Sequence, residues 1–373
     1  MTSLEAVIIL SSVEGLGIQL LRKLLLVFQA PEAIFELKDP KQLSEMTGIP
    51  LELAERIFEA KQAIIPKKIL DESNRQGITL VHFLEESYPK NLSAVYDPPV
   101  ILYVKGKLLP EDQFAIGIVG SRRSSGYGIQ VASRFASELA EKGITIISGL
   151  ALGIDRAAHE GALRAKGRTI AVLGSGIDVI YPAENRKLFE AIPESGALVS
   201  EFPLGVEPRP FHFPKRNRII AGLSLGVLVV EAGEKSGSLI TARLGADEGR
   251  EIYAIPGRID NPYSRGVHRL IREGAKLVTS PDEILEDLYP VLKGSCQKEG
   301  ILSSESENDP TLPKEEATVL NLLGEDALSP DALAEKLPLD SNQILEILTR
   351  LEMSQKVKRL WGGRFVKAGV YLR

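Results

Sequence analysis

The stretch Gly120-Ser-Arg-Arg-Ser-Ser-Gly-Tyr-Gly128 contains the residue types that bind phosphate. It follows an apolar run over 114–119 and precedes a helical pattern over 127–142. A Gly/Ser-rich turn between a strand and a helix points backbone N–H groups at an anion, and an arginine fork binds a phosphate through two hydrogen bonds. The sequence therefore predicts a phosphate-binding loop. Its expected contacts are the backbone at Gly120, the hydroxyls of Ser121, Ser124 and Ser125, and the side chains of Arg122 and Arg123.

The usual nucleotide cofactors do not match this loop. A P-loop closes on Gly-Lys-Ser/Thr, and residues 120–128 contain no lysine. A dinucleotide site needs Gly-x-Gly-x-x-Gly and an acidic residue at the end of the second strand, where this chain has Ser148-Gly149. We therefore expect no cofactor, and a phosphate that belongs to another kind of ligand.

A second basic segment, residues 207–218, holds four cationic side chains against one glutamate. Lys215, Arg216 and Arg218 are expected to open a helix over 216–223, where cations are unfavourable unless an anion binds. Phe211 and Phe213 precede them, and aromatic rings beside cations are typical of proteins that stack unpaired bases. The alternative is that the phenylalanines pack in the core and the cations are merely exposed.

Catalytic combinations are few. The four histidines are scattered and Cys296 is the only cysteine, so neither a metal site nor a disulfide framework is expected. Asp155 and His159 have the i, i+4 spacing of an acid–base pair, although an ion pair on a helix surface is the more frequent reason for it. Glu231 is a candidate general base, but we favour a role in accepting hydrogen bonds from the following helix start. The residues therefore supply little catalytic equipment, and Glu231 is the best candidate if the protein is an enzyme.

Composition limits the possible partners. The chain has 373 residues and a net charge of −5, which argues against coating nucleic acid through bulk charge. Six acidic residues against one lysine between Glu299 and Glu316 account for that whole excess, so a local basic site remains possible on a neutral body. Neither a membrane span nor a signal peptide is evident, and with one cysteine this predicts a cytoplasmic protein.

The pattern along the chain predicts four segments. Residues 1–75 are all-helical, and Val13–Gly17 resembles the hairpin of a helix–hairpin–helix unit, although from these residues alone a plain helix-turn-helix whose glycine ends a helix is favoured. Residues 76–110 are a rigid connector or added edge strands. From 115 to 289, strand-like and helical runs alternate, which is typical of an α/β, Rossmann-like, doubly wound, mostly parallel sheet. The expected strands are 115–119, 144–148, 169–173, 197–200, 226–231, 251–255 and 276–279, and the domain spans 76–289.

The C-terminal part predicts a linker and a small domain. Residues 290–312 are acidic and rich in Pro, Gly and Ser, as in flexible linkers. Residues 313–373 predict a winged helix, whose third helix has Ile344, Leu345, Leu348 and Leu351 as its apolar stripe and whose hairpin turns at Gly362-Gly363. The third helix is not basic, so contact through the wing with nucleic acid and contact with a protein are both open.

Four motifs resemble the DprA/Smf family of bacterial DNA-processing proteins. They are Ile118-Val-Gly-Ser-Arg-Arg with Gly126-Tyr-Gly128, the run 148–159, the run 213–224, and Val230-Glu-Ala with 236–242. The resemblance covers the whole Rossmann-like domain. The family commonly carries a helical N-terminal domain that is SAM-like or helix–hairpin–helix-like, and some members carry a C-terminal winged helix.

This resemblance implies a protein that is not an enzyme: it binds and protects single-stranded DNA during natural transformation and loads the RecA recombinase onto it. It also implies a homodimer formed through the Rossmann-like domain. A nucleotide-processing enzyme of the nucleoside monophosphate phosphoribohydrolase kind, with Glu231 as its base, is the alternative. The nucleic-acid-binding residues that the resemblance and the loops together predict are Gly120, Ser121, Arg122, Arg123, Ser124, Gly149, Phe211, Phe213, Lys215, Arg216, Asn217, Arg218, Ser236, Ser238 and Thr241.

Overall fold

The first 75 residues are helical, as their apolar spacing predicts. The Thr2 hydroxyl and the Glu5 carboxylate form a capping box at the first helix. Asp39 caps the third helix, which ends at Gly48 in the left-handed conformation that glycine adopts without strain. The α-helices are α1 (Ser3–Ser11), α2 (Ile18–Phe28), α3 (Pro40–Thr47), α4 (Leu51–Ala63) and α5 (Pro66–Arg75), with a 3-10 helix at Pro31–Glu36.

A nine-stranded sheet follows, in the order β1-β2-β6-β5-β4-β3-β7-β8-β9. The pairs β1·β2 and β2·β6 are antiparallel, and all the other pairs are parallel. Residues 76–110 therefore supply two added strands, β1 and β2, at one edge of the sheet. The strands are β1 (Ile78–His82), β2 (Ile101–Gly106), β3 (Ala115–Val119), β4 (Thr145–Ser148), β5 (Thr169–Val172), β6 (Ala197–Ser200), β7 (Gly226–Val229), β8 (Glu251–Ala254) and β9 (Lys276–Leu277).

Helices cover both faces of this sheet, which confirms the doubly wound α/β class. Along β3, Ile116 and Ile118 pack under α7 and α8, whereas Ala115 and Val119 belong to the core under α10 and α11. This alternation is why the parallel strands are apolar throughout. The helices are α6 (Lys90–Ser93), α7 (Gly126–Glu141), α8 (Ile154–Arg164), α9 (Arg186–Ser195), α10 (His212–Leu223), α11 (Gly237–Asp247), α12 (Arg265–Arg272) and α13 (281–288).

The N-terminal helices share a core with the edge of the sheet. Val7 and Ile8 of α1 are buried with Ile101, Tyr103 and Leu198 of β2 and β6. One structural unit accordingly spans residues 1–292 and a second spans 293–373. We propose that residues 1–75 and 76–289 are two domains of the first unit that pack through this cluster.

The second unit has the elements of a winged helix. Its helices are α14 (Lys314–Leu322), α15 (Pro330–Ala334) and α16 (Ser341–Met353), and its antiparallel strands are β10 (Val357–Arg359) and β11 (Phe365–Lys367). Ile344, Ile347, Leu348 and Leu351 are buried, whereas Leu345 is exposed, so its place in the predicted apolar stripe was wrong. At 100° per residue, the next position after Ile344 turns away from the core.

The computed structural model describes residues 1–28, 30–288, 314–323, 328–334, 337, 339–354, 356–359 and 365–367. The predicted linker 290–312 lies outside the described residues, and the predicted turn at Gly362-Gly363 also lies outside them. No helix within these ranges is long and apolar enough to span a bilayer.

Candidate nucleic-acid interface

The predicted phosphate loop lies where the sheet changes its winding direction. From β3 the chain winds through β4, β5 and β6 on one side, and then returns to place β7 on the other side of β3. The loops that follow β3, β4, β5 and β7 therefore meet at one edge of the sheet, the usual ligand position in such folds. A cleft of about 60 Å³ opens there, and its lining includes Arg122, Gly149, Tyr181, Phe213 and Arg216.

Loop 120–125 is held in place by Glu231, at the end of β7. The Ser121 N–H donates to the Glu231 carbonyl at 2.7 Å, and the Ser125 N–H donates to its carboxylate at 2.8 Å. Gly120 is required by close packing, since a Cβ there would lie 2.5 Å from Cγ1 of Ile154. The glycine and serines of the motif thus fix the shape of the loop.

The expectation of bare N–H groups and free hydroxyls in this loop was largely wrong. The Ser121 hydroxyl donates to the Arg123 carbonyl and accepts from the Arg123 N–H. The Ser125 hydroxyl donates to Glu231 at 2.6 Å and accepts from Gly128 N–H, capping α7. Ser124 keeps a buried hydroxyl oxygen to which the structure gives no hydrogen-bond partner. These groups satisfy one another because an N-cap and a tight turn need the same donors that an anion would use.

The loop instead presents Arg122. The Arg122 side chain is exposed, and among the described residues no carboxylate lies within 4 Å of it. Its guanidinium stacks over the Phe213 ring, 4.9 Å from the centroid. The Tyr181 ring packs on Phe213 with centroids 5.6 Å apart. An arginine plane supported by a ring can stack a base on its outer face and hydrogen-bond a phosphate at its edge.

Arg216 forms the floor of the cleft. It is 3% exposed, and its guanidinium lies against Gly149, where a Cβ would clash at 1.5 Å with Nη1. Nη1 donates to the Val172 carbonyl at 3.1 Å, while Nε has no hydrogen-bond partner among the described residues. Burial lowers the pKa of Arg216 to about 10, with the nearby Asp155 opposing that shift, so the group is charged at neutral pH. The cleft therefore combines an exposed and a buried cation.

The rest of the basic segment is partly neutralised. Helix α10 starts at His212, not at 216, so Lys215, Arg216 and Arg218 lie beyond its first turn and the expected penalty at a helix start does not apply. Arg218 donates to Glu201 at 2.5 Å and lies 3.4 Å from Asp97. Lys215, which is exposed, lies 3.5 Å from the same Glu201 oxygen. Burial raises the pKa of Glu201, and the two cations oppose that rise.

The remaining predicted residues are placed unequally around the cleft. Asn217 is buried and donates to the Gly237 carbonyl at 3.3 Å, which joins α10 to α11. Ser236 caps α11, and Ser238 and Thr241 are buried; none of the three lines the cleft. Phe211 is 63% exposed and packs edge-on against His212. Arg123 is exposed beside Arg122.

Asp155 and His159 are not a surface ion pair. Both are buried, Asp155 accepts from the Gly149 N–H at 3.2 Å, and His159 Nδ1 lies 2.6 Å from the Thr169 hydroxyl. The Thr169 hydroxyl donates to the Ile146 carbonyl, so His159 must donate from Nδ1. Burial lowers the pKa of His159 to about 3, and Arg216 adds to that effect. The i, i+4 spacing here places both side chains on the inner face of α8.

Glu231 has a structural role, but at a different helix from the one expected. It is 2% exposed and accepts from Ser125 at the start of α7, and from Asn261 Nδ2 at 3.3 Å, whereas the following helix α11 is capped by Ser236. Both of its carboxylate oxygens are occupied. Among the described residues, no cluster of three His, Cys, Asp or Glu side chains could hold a metal ion.

Two residues of this site were not singled out from the sequence. Tyr181 lines the cleft, and its only sequence signal is its position in the loop after the third parallel strand. Glu201 ends β6 and organises Lys215 and Arg218, a pairing between distant segments that no local pattern reveals.

Three family models match the chain in order. A SAM-like helix-hairpin-helix tandem matches residues 7–62, the DNA recombination-mediator protein A model matches 79–289, and the DprA winged helix domain matches 303–363. The second of these alone covers more than half of the chain. The chain belongs to the DprA/Smf family. The helix–hairpin–helix interpretation of the N-terminus is thereby favoured over a plain helix-turn-helix.

Relatives support this assignment along most of the DprA/Smf chain. It is 41% identical to Protein Smf of Escherichia coli over 323 residues, covering 86% of this chain and 85% of that protein. It is 44% identical to DNA processing protein DprA of Bacillus subtilis over 222 residues, 59% of this chain and 75% of that protein. The crystal structure of DprA from Streptococcus pneumoniae superposes with a TM-score of 0.66 at 39% identity, over 77% of this chain and 98% of that one.

A further structural relative is described together with the ligand that it binds. DNA processing protein A from Helicobacter pylori, described for its single-stranded DNA binding mode, has a TM-score of 0.52 at 31% identity. It covers 57% of this chain and 96% of that one.

Proposed function

We propose that this protein binds single-stranded DNA through the cleft at Arg122, protects it, and loads RecA onto it during natural transformation. The observation that carries the proposal is the exposed Arg122 guanidinium, stacked on Phe213 and without a carboxylate partner among the described residues, above the buried Arg216. The ligand named for the Helicobacter pylori relative and the description of the family model as a recombination mediator support it. A cytoplasmic homodimer formed through the Rossmann-like domain completes the proposal.

The cleft suits one phosphate and one stacked base. Arg122 and Arg216 supply two cations for the phosphate, while the outer face of Arg122 and the half-exposed Tyr181 ring offer surfaces for a base. Phe213 is not itself the free platform that the sequence predicts, because Arg122 and Tyr181 occupy its ring. Stacking and backbone contacts accept any base, so we expect binding with little sequence preference.

The experiment that tests this function replaces Arg122 by alanine. We expect the affinity for an oligothymidylate to fall about tenfold, because a charge-assisted contact to phosphate is lost. The slope of log K against log[salt] should decrease by about 0.7, the value for one phosphate contact on a single strand. Fluorescence anisotropy over a salt series measures both quantities.

Arg164→Ala is the matched control. Arg164 is also exposed, and it lies in the last turn of α8, at the opposite edge of the sheet from the cleft. Arg164→Ala removes the same charge as Arg122→Ala, but away from the cleft. It should therefore leave the affinity and the salt slope unchanged. An Arg122→Ala variant that binds as tightly as the wild type would contradict the proposed function.

A further inference from the structure

Beyond the cleft, a second exposed aromatic side chain lies on the same edge of the sheet. Tyr127, in the first turn of α7, is 52% exposed, and its hydroxyl lies 3.4 Å from the carbonyl oxygen of Pro256. Pro256 follows β8, so the ring lies beside the loop 256–263. Ile259 in this loop is 89% exposed.

Glu231 connects this loop to the phosphate loop. Its Oε1 accepts from the Ser125 hydroxyl at 2.6 Å and from Asn261 Nδ2 at 3.3 Å. The Ala232 N–H next to it donates to the Tyr263 carbonyl at 2.7 Å. One buried carboxylate therefore holds loops 120–125 and 256–263 side by side, and Tyr127 follows directly from the first of them.

Cations border the exposed apolar groups. Arg123 is exposed, and among the described residues it has no carboxylate within 4 Å. Arg258 pairs with Asp260 at 2.8 Å, but both side chains are largely exposed, and such a pair is weak enough for a phosphate to compete for the arginine. Aromatic and aliphatic side chains between cations are the composition of a surface that stacks bases along a strand.

We propose that Tyr127 and the loop 256–263 form a second platform for single-stranded DNA, so that a strand anchored at Arg122 continues over Tyr127. This extension rests on the proposed function. The cleft is lined by residues that follow β4 and β5, and Tyr127 contacts the residue after β8, which is four strands from β5. At about 4.8 Å per strand the track is ~19 Å long, which is more than the one phosphate and one stacked base that the cleft itself accommodates.

The track predicts a dependence on strand length. Tyr127→Ala should lower the affinity for an oligothymidylate of about 12 nucleotides by about fivefold or more, the effect of losing one stacked base. For a dinucleotide, which fills only the cleft, Tyr127→Ala should bind as the wild type does. Competition against a labelled strand measures both affinities in the full chain.

Two further variants decide between stacking and a structural effect. Tyr127→Phe keeps the ring and loses the contact with Pro256, so it should keep the wild-type affinity; a loss equal to that of Tyr127→Ala would overturn the proposal. Tyr96→Ala is the matched control, because Tyr96 is exposed and its N–H donates to Glu248 at the C-terminal end of α11, on the opposite edge of the sheet. It should bind both oligomers normally.

The two proposals fail in distinguishable ways. Arg122→Ala should weaken the binding of both oligomers, and if it weakens neither, the proposed function itself is wrong. If Arg122→Ala weakens both while Tyr127→Ala has no effect on the long strand, or the same effect on both strands, then only the extension is wrong. If Tyr127→Ala has no effect on the long strand, the exposed side chains of Tyr127 and Ile259 are left for a protein partner.

Discussion

The wall and the floor of the cleft both contain arginine, but they differ in how its charge is satisfied. The wall is loop 120–125 with Tyr181, where Arg122 is exposed and has no carboxylate partner within the described ranges. We extend the term floor from Arg216, which lines the cleft, to residues of α8 and α10 and to Glu201, which do not line it. There Arg218 pairs with Glu201, and Arg216 lies near Asp155.

This difference has an energetic cause. A buried charge is costly unless a partner of opposite sign and hydrogen bonds compensate it, so the floor must carry its own carboxylates. An exposed arginine is hydrated in the free protein and can exchange water for a phosphate at little cost. Substitutions in the floor should therefore change stability first, and substitutions in the wall should change binding first.

The largest effect should come from Glu201→Ala in the floor. It leaves Arg218, whose side chain is 16% exposed, without its closest carboxylate, so we expect the free energy of unfolding to fall by about 3 kcal/mol. Urea unfolding followed by circular dichroism measures it. Glu190→Ala, which breaks an exposed pair with Arg186, is the control and should cost under about 1 kcal/mol. Equal small losses in both variants would remove the distinction between floor and wall.

His159 gives the floor a pH dependence. Its pKa is about 3 in the folded protein and ordinarily 6.5, so the unfolded chain binds more protons between these values. Burial of His159 therefore has no pH-dependent cost above pH 6.5, and it lowers the free energy of unfolding progressively as the pH falls towards 3. The loss is about 1.4 kcal/mol per pH unit, or ~2 kcal/mol at pH about 5.

Comparison with His159→Gln isolates this contribution from the carboxylates that titrate in the same range. The free energy of unfolding should fall more steeply between pH about 7 and about 5 in the wild type than in the variant. Parallel pH profiles for the two proteins would show that His159 does not carry the effect.

The smallest effect should come from Lys215→Ala, at the boundary between floor and wall. Lys215 is exposed, but it lies 3.5 Å from Glu201, which already satisfies part of its charge. We expect a two- to threefold loss of affinity for single-stranded DNA, about 0.5 kcal/mol, and little change in stability. Anisotropy titrations beside Arg122→Ala check this order. A loss as large as that of Arg122→Ala would place Lys215 in the wall.

The elements were predictable because their patterns are local. The apolar runs of β3 to β8 and the amphipathic spacing of α7 and α8 matched the structure to within a few residues. Added edge strands were one of the two alternatives for residues 76–110, and the structure has such strands there, in antiparallel pairing. The start of α10 was set four residues too late, because Phe211, His212 and Pro214 carry no helical signal. His212 instead starts the helix through tertiary contacts, since it stacks on Phe202 at 4.2 Å and lies 3.2 Å from the Gly174 carbonyl.

The sequence predicted which loops come together at one edge of the sheet, but not which of their side chains line the cleft. Arg122, Gly149, Phe213 and Arg216 line one cleft, as expected for loops at one edge of a parallel sheet. Asn217, Ser238 and Thr241 are buried in the packing of α10 and α11. Motif membership does not separate these two sets, because residues that support a loop and residues that line the cleft occur in the same short runs.

Residue types and their spacing by themselves determined the doubly wound sheet, the loops at its edge and the cationic character of the site. These properties follow from hydrophobic periodicity and from turn chemistry, which act over a few residues. Only the tertiary structure decided which charges are available. Glu201 and Asp155 come from distant segments to oppose Arg218 and Arg216, whereas Arg122 stacks on Phe213 and remains exposed. The physical reason is that burial and the nearest opposite charge set the free energy of an ion, and both depend on parts of the chain far away in sequence.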